Sequence, residues 1–239
     1  MSVHLVGGGW LEEPDGVVFD AFLAEARARA AGAGRDEPRI AVIAVRDEDA
    51  GDHAAALVAA AAPAGSFDAL ITAVANDGSV PAAAFAEVDG VIVGGGLTPA
   101  YRERLEPHFG ELRRQVAAGM PYLGFSAGSA IAAERALVGG WRIGGVAVAP
   151  EDAAEDLDEL TVAPGIGLVD VAIDVHAAQW GTLSRLVAAV EAGLVEGGLA
   201  IDEHTVLIVG EGDLRVAGRG SVWRVLPAEQ GVLVSTIGA

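Results

Sequence analysis

The chain has 239 residues, 52% of them hydrophobic, 33 glycines and a formal charge of −19, a length that suits one domain over residues 1–239. It contains neither cysteine nor lysine, which excludes disulfides, thiolate catalysis, cysteine-ligated metals, Schiff-base lysines and Ser-Lys dyads. The acidic charge argues against a nucleic-acid partner, and no uninterrupted apolar run is long enough to span a bilayer.

The first residues lack the basic region that precedes a secretory signal core, so the expected compartment is the cytoplasm. A short apolar strand at 3–6 ends in Gly7-Gly8-Gly9, and helical periodicity follows over 19–31, with Phe19, Phe22, Leu23 and Ala26 on one face. The run 40–45 is uninterrupted and apolar, as in a parallel sheet covered on both sides. An alanine-rich helix is expected over 54–62, a strand over 69–74, a short helix over 81–86 and a strand over 88–93 that stops at Gly94-Gly95-Gly96. Residues 99–118 read as one helix, with Pro99 near its start and Gly119 at its end. The alternation predicts a doubly wound, mostly parallel α/β sheet. Right-handed crossovers then place the glycine loops together at the carboxyl edge of the sheet.

The next strand, 121–125, runs into Gly124-Phe125-Ser126-Ala127-Gly128-Ser129-Ala130. Glycines two residues before and after Ser126 permit a sharp strand-to-helix turn that lifts the serine hydroxyl above the sheet and leaves the first helical amides free. Beyond residue 140 the pattern loosens: 151–159 is an acidic surface loop, 168–175 is apolar with Asp170 and Asp174 set into it, and 182–192 is an amphipathic helix. From Leu199 onward, three or four short strands read as an antiparallel extension of the sheet.

A serine nucleophile needs a base and an acid that orients it. Among five histidines, His4 lies within the first strand, His53 and His108 at helix ends in polar surroundings, and His204 in a turn; the first reads as structural and the others as solvated. His176 ends an apolar strand ahead of a helix, which places it at the edge that carries Ser126 if that strand is parallel. Asp174, two residues earlier on the same face, is the expected orienting acid. The oxyanion donors are the Ala127 N–H and one from Gly95 or Gly96, where nothing projects to block a carbonyl.

These motifs, with Pro164-Gly165-Ile166-Gly167-Leu168, Ile173-Asp174-x-His176 and Ala200-Ile201-Asp202-Glu203-x-Thr205, resemble the cyanophycinase and peptidase E family of serine peptidases, in family order over about 215 residues. The resemblance implies a flavodoxin-like fold akin to class I glutamine amidotransferases. It also implies Ser126 as nucleophile, His176 as base, Gly95 and Ala127 as the oxyanion hole, no metal or organic cofactor, a small peptide substrate and a homodimer. In that family the acid comes from the segment after the serine, where Glu134, Glu151, Asp152 and Glu155 stand alongside Asp174. Thr98, Gln179, Trp180 and Arg185 are the expected substrate contacts. Leu97 stands where the family commonly has asparagine, and fewer arginines follow the histidine here. The competing reading is therefore a non-enzymatic peptide- or small-molecule-binding member of the same fold. An α/β-hydrolase esterase is disfavoured because its His-Gly-Gly motif and a late, separate acid and histidine are missing.

Overall fold

The computed structural model describes residues 2–238. Five parallel strands form the centre of a seven-stranded sheet: β1 (Val3–Val6), β2 (Arg39–Val45), β3 (Asp68–Val74), β4 (Gly90–Val93) and β5 (Tyr122–Phe125), in the spatial order β1-β5-β4-β2-β3. On the β1 side the sheet continues through two antiparallel strands, β12 (Thr205–Val209) and then β13 (Arg215–Gly218). Strands β1, β2, β4 and β5 are buried apart from Arg39 at the start of β2, which is why they read as unbroken apolar runs. Strand β3 ends the sheet and leaves Leu70 and Ile71 exposed.

Helices cover both faces. On one, α1 (Asp20–Gly32) and α2 (Ala50–Ala61) pack Phe22, Leu23, Ala26 and Leu57 against Ile40, Val42 and Ile92. On the other, α3 (Thr98–Leu105), α4 (Phe109–Ala117) and the four-residue α5 (Ala127–Ala130) bury Tyr101, Leu105 and Leu112 against Leu5, Ile43 and Val93. The mixed architecture with a large, mostly parallel central sheet is the one the alternating pattern predicted.

Two expectations differ in detail. The helix expected over 99–118 is two helices, separated by a 3-10 turn at Glu106–His108, because Pro107 has no N–H to donate and its ring crowds the preceding turn. The chain leaves α5 after one turn, so Glu134 lies outside it, with its N–H on the Val169 carbonyl.

The C-terminal strands do not all extend the main sheet. Strands β10 (Ala172–Val175), β11 (Gly198–Ile201), β14 (Ser221–Ala228) and β15 (Gly231–Gly238) form a second sheet, in which β10 and β11 are parallel. Helix α6 (Leu183–Glu191) packs on it through Leu186, Ala189 and Val190, over a third cluster with Val225. Two small ribbons complete the chain: β6 (Arg135–Gly139) with β9 (Thr161–Pro164), and β7 (Arg142–Ile143) with β8 (Val146–Ala147). Among the described residues no helix is long and apolar enough to cross a membrane.

Candidate active site

At the end of β5 the backbone turns through Ser126 at φ 53° and ψ −112°. A non-glycine residue held at positive φ stores about 1–3 kcal/mol and persists only where its surroundings fix it. They do so here. The Ser126 N–H donates to the Val6 carbonyl, and the Gly128 N–H donates to the Gly94 carbonyl. The buried Tyr122 hydroxyl donates to the Gly128 carbonyl at 2.7 Å. Gly128 is required by contact, since a Cβ there would lie 2.2 Å from the Val93 carbonyl oxygen. The glycine loop after β4 and the serine turn are neighbours as the topology predicted: a Cβ on Gly95 would lie 2.9 Å from Cβ of Ser126.

The Ser126 hydroxyl lies 2.7 Å from Nε2 of His176. His176 leaves β10 at φ 54°, and its N–H donates to the Gly7 carbonyl. The second sheet is thereby stitched to the end of β1. Gly8 clears the imidazole: a Cβ there would sit 2.3 Å from Cε1 of His176. On the far side Nδ1 of His176 meets Oε1 of Glu203 at 2.7 Å, which fixes the tautomer with its proton on Nδ1 and leaves Nε2 to accept. Trp180 stacks on the ring, centroids 3.8 Å apart and planes 6° from parallel. Burial holds the His176 pKa below the ordinary imidazole value, with Glu203 opposing that shift.

Asp174 does not orient His176. Its carboxylate forms a two-pronged pair with Arg185, at 2.7 and 3.0 Å, with both side chains buried. A Coulombic partner so close, in so dry a place, takes the carboxylate out of reach of the imidazole. Arg185 accordingly faces Asp174 and the Ala153 carbonyl, away from the cleft. Gln179 accepts the Glu203 N–H through Oε1, so it holds the acid in place and does not line the cleft. Thr98 is buried, and its N–H at the start of α3 donates to Glu155. Glu134 lines a different, apolar hollow beside Leu168 and Leu226. Glu151, Asp152 and Glu155 line the cleft, but none contacts His176.

Of the three oxyanion candidates, the Gly95 N–H donates to Nε2 of His53 at 3.0 Å. The N–H groups of Gly96 and Ala127 make no hydrogen bond among the described residues. His53 is only 8% exposed, contrary to its expected solvation, because α2 begins at Ala50 and carries the ring inward, edge-on to the stacked pair Trp10 and Phe125. Glu203 stands in one of the sequence motifs without a role, and His53 reads as solvated; these are the two site groups whose roles the sequence did not reveal. The signal for Glu203 was present, an acidic residue just past a strand end.

Ser126 opens into a cleft of about 1090 Å³. Five of its lining carboxylates come from the 151–158 segment, and Asp47 and Asp49 face them. Arg46 is the one arginine on the wall, and it is tied to Asp49 at 2.9 Å and to the Gly95 carbonyl. Trp10, Trp141 and Trp180 add aromatic surface.

No family model matches the chain. Over 122 residues, half of the chain, it is 38% identical to cyanophycinases from Synechococcus elongatus and Thermosynechococcus vestitus. That stretch spans 35% of those proteins' length. In three dimensions it is similar to a peptidase from an acI-B1 Actinobacterium, with a TM-score of 0.68 at 15% identity, covering 99% of this chain and 96% of that one. A putative peptidase E protein from Listeria monocytogenes superposes with a TM-score of 0.56 at 14% identity, over 92% of this chain and 98% of that one. These two likenesses establish the fold.

Proposed function

We propose that the chain is a member of the cyanophycinase and peptidase E family and a serine-type peptidase acting on small peptides through an acyl-enzyme at Ser126. The observation that carries this reading is the relay Ser126–His176–Glu203, with 2.7 Å at each step, mounted on a strained turn. Glu203 keeps the imidazole proton on Nδ1, so Nε2 takes the Ser126 proton as Oγ attacks the carbonyl carbon. The same Nε2–H then protonates the leaving amine. Water, deprotonated by Nε2, hydrolyses the ester and regenerates Ser126.

The cleft argues for a substrate that carries positive charge, an ammonium or guanidinium. Arg46, the arginine of its lining, is paired with Asp49, Arg185 is paired with Asp174 away from the cleft, and Arg142 is stacked on Trp141. A cation meets the carboxylates of 151–158.

Reaction with a fluorophosphonate probe tests the mechanism. Native protein is expected to be labelled at Ser126, with labelling abolished in Ser126→Ala and reduced at least about a thousandfold in His176→Ala, in keeping with the loss of a triad member. A folded native protein that takes up no probe would overturn the peptidase reading in favour of a binding role on the same fold.

A further inference from the structure

The glycine loop after β4 is clamped by a histidine that the relay does not use. The Gly95 N–H donates to Nε2 of His53, and the Gly95 carbonyl accepts from the Tyr101 hydroxyl at 3.1 Å and from Arg46 at 3.2 Å. Gly94 is equally committed: its N–H goes to the Ile43 carbonyl, and its carbonyl receives the Gly128 N–H. Both peptide groups of these two glycines are therefore spoken for. Of the candidate donors there remain the N–H groups of Gly96 and Ala127, without partners among the described residues. Ala127 is fully buried, and a buried donor left unmade is costly unless something else accepts from it.

His53 has little freedom to do otherwise. Trp10 meets its ring edge-on at 5.5 Å, Phe125 at 6.3 Å, and a Cβ on Gly94 would lie 2.8 Å from its Nε2. To accept from Gly95 the imidazole must be neutral, with its proton on Nδ1, since a protonated ring has donors at both nitrogens. Its surroundings favour that state. Burial, helped by the nearby Arg46 and opposed by Asp49, lowers its pKa to about 4.

We propose that His53 is a positioning residue for the oxyanion hole: by accepting the Gly95 N–H it fixes the glycine loop so that Gly96 and Ala127 supply the two amides that receive the developing oxyanion. Gly95, which the family resemblance implies as a donor, is thereby a clamped spacer in this chain. This inference rests on the serine-peptidase reading of Ser126.

Two variants separate a positioning role from a packing role. His53→Phe keeps an aromatic ring against the stacked Trp10 and Phe125 but has no acceptor, whereas His53→Gln sets an amide oxygen near the place of Nε2. The probe is a fluorophosphonate, whose phosphonyl oxygen occupies the oxyanion hole as the serine reacts. His53→Phe is expected to slow labelling of Ser126 by about 10–100-fold, less than the loss of a donor itself, and His53→Gln to return it to within about threefold of native. In parallel, amide hydrogen exchange at Gly95 is expected to be slow in the native protein and in His53→Gln, and at least about tenfold faster in His53→Phe. Equal labelling by the two variants, or equal Gly95 exchange in them, would overturn the inference even with a native protein that labels well. A native protein that does not label, but whose Gly95 amide still responds to His53→Phe, would retain the clamp and overturn the peptidase reading instead.

Discussion

Glu203 and Asp174 lie at the same β10–β11 edge, Asp174 in register with Ala200 and Glu203 just past the end of β11, yet they have different work. Glu203 is partly exposed to the cleft and bonded to His176; Asp174 is sealed against Arg185. Glu203→Gln is therefore expected to slow Ser126 labelling by about 10²–10⁴-fold with little change in stability, since an amide no longer fixes the imidazole tautomer. Asp174→Asn should do the reverse. It leaves a buried guanidinium uncompensated and costs about 3–5 kcal/mol of stability by denaturant titration, while the molecules that remain folded label at nearly the native rate. Equal effects of the two substitutions on labelling would make Asp174 part of the relay. The pH dependence has a defined sign. The rate needs neutral His176, so labelling is expected to fall with acid at a midpoint below 6.5, and Glu203→Gln, which removes a group that raises this pKa, should move the midpoint lower still. His53 is neutral when folded and takes up a proton when unfolded as pH falls below 6.5. The unfolded chain then binds more protons, and stability falls by about 3 kcal/mol from that group by pH 4. Sequence made the candidate nucleophile and base legible because Ser126 ends an apolar run with glycines two residues to either side and His176 ends another apolar run ahead of a helix. The acid was not legible, because nearness of Asp174 along the chain does not reveal that Arg185, eleven residues on, claims it first.

Among the elements, those buried on both faces were the most readable. Strands β2, β4 and β5 follow from their apolar runs alone, and the helices between them from residues such as Phe22 and Leu23 on α1. The second sheet was not readable. Whether β11 pairs with β10 or with β12 depends on contacts distant in sequence, and short apolar runs carry no mark of which sheet will bury them. Glycine in particular cannot be interpreted by type. Gly110 sits exposed in α4 with open space at its Cβ position, whereas Gly128 sits in α5 with the Val93 carbonyl oxygen 2.2 Å from that position. Gly110→Ala should raise stability by about 0.5–1 kcal/mol through helix propensity and reduced chain entropy. Gly128→Ala should lower it by about 3 kcal/mol through overpacking. It should also slow Ser126 labelling, because α5 must move off the Gly94 carbonyl. Thermal melts of the two variants, with labelling rates beside them, test both. A harmless Gly128→Ala would mean that the elbow tolerates displacement and that its strain does not hold Ser126 in place.

At the scale of the whole molecule, the formal charge of −19 and the cleft act in the same direction. A net charge of this size repels anions and draws cations toward the surface, and a concave wall of like charges concentrates that field at its mouth. The carboxylates of 151–158 line the cleft from one segment, and Glu155 anchors that segment by accepting the Thr98 N–H. Glu155 thus serves the segment's placement, while Glu151 and Asp152 stand exposed where they can meet substrate. If selection is electrostatic, dipeptides bearing arginine or lysine should show higher kcat/KM than their alanine counterparts, and those bearing aspartate or glutamate lower. The preference should shrink as salt rises from about 0.02 to 0.5 M, because the screening length falls from about 20 Å to about 4 Å. Glu151→Gln combined with Asp152→Asn should raise KM for a cationic substrate several-fold and leave kcat nearly unchanged, since on the proposed reading these cleft-lining groups attract substrate and do not touch the reacting bond. A cationic preference that survives high salt and both substitutions would place recognition in direct contacts with the tryptophans or with Asp47 and Asp49 across the cleft, and would remove 151–158 from the account of specificity.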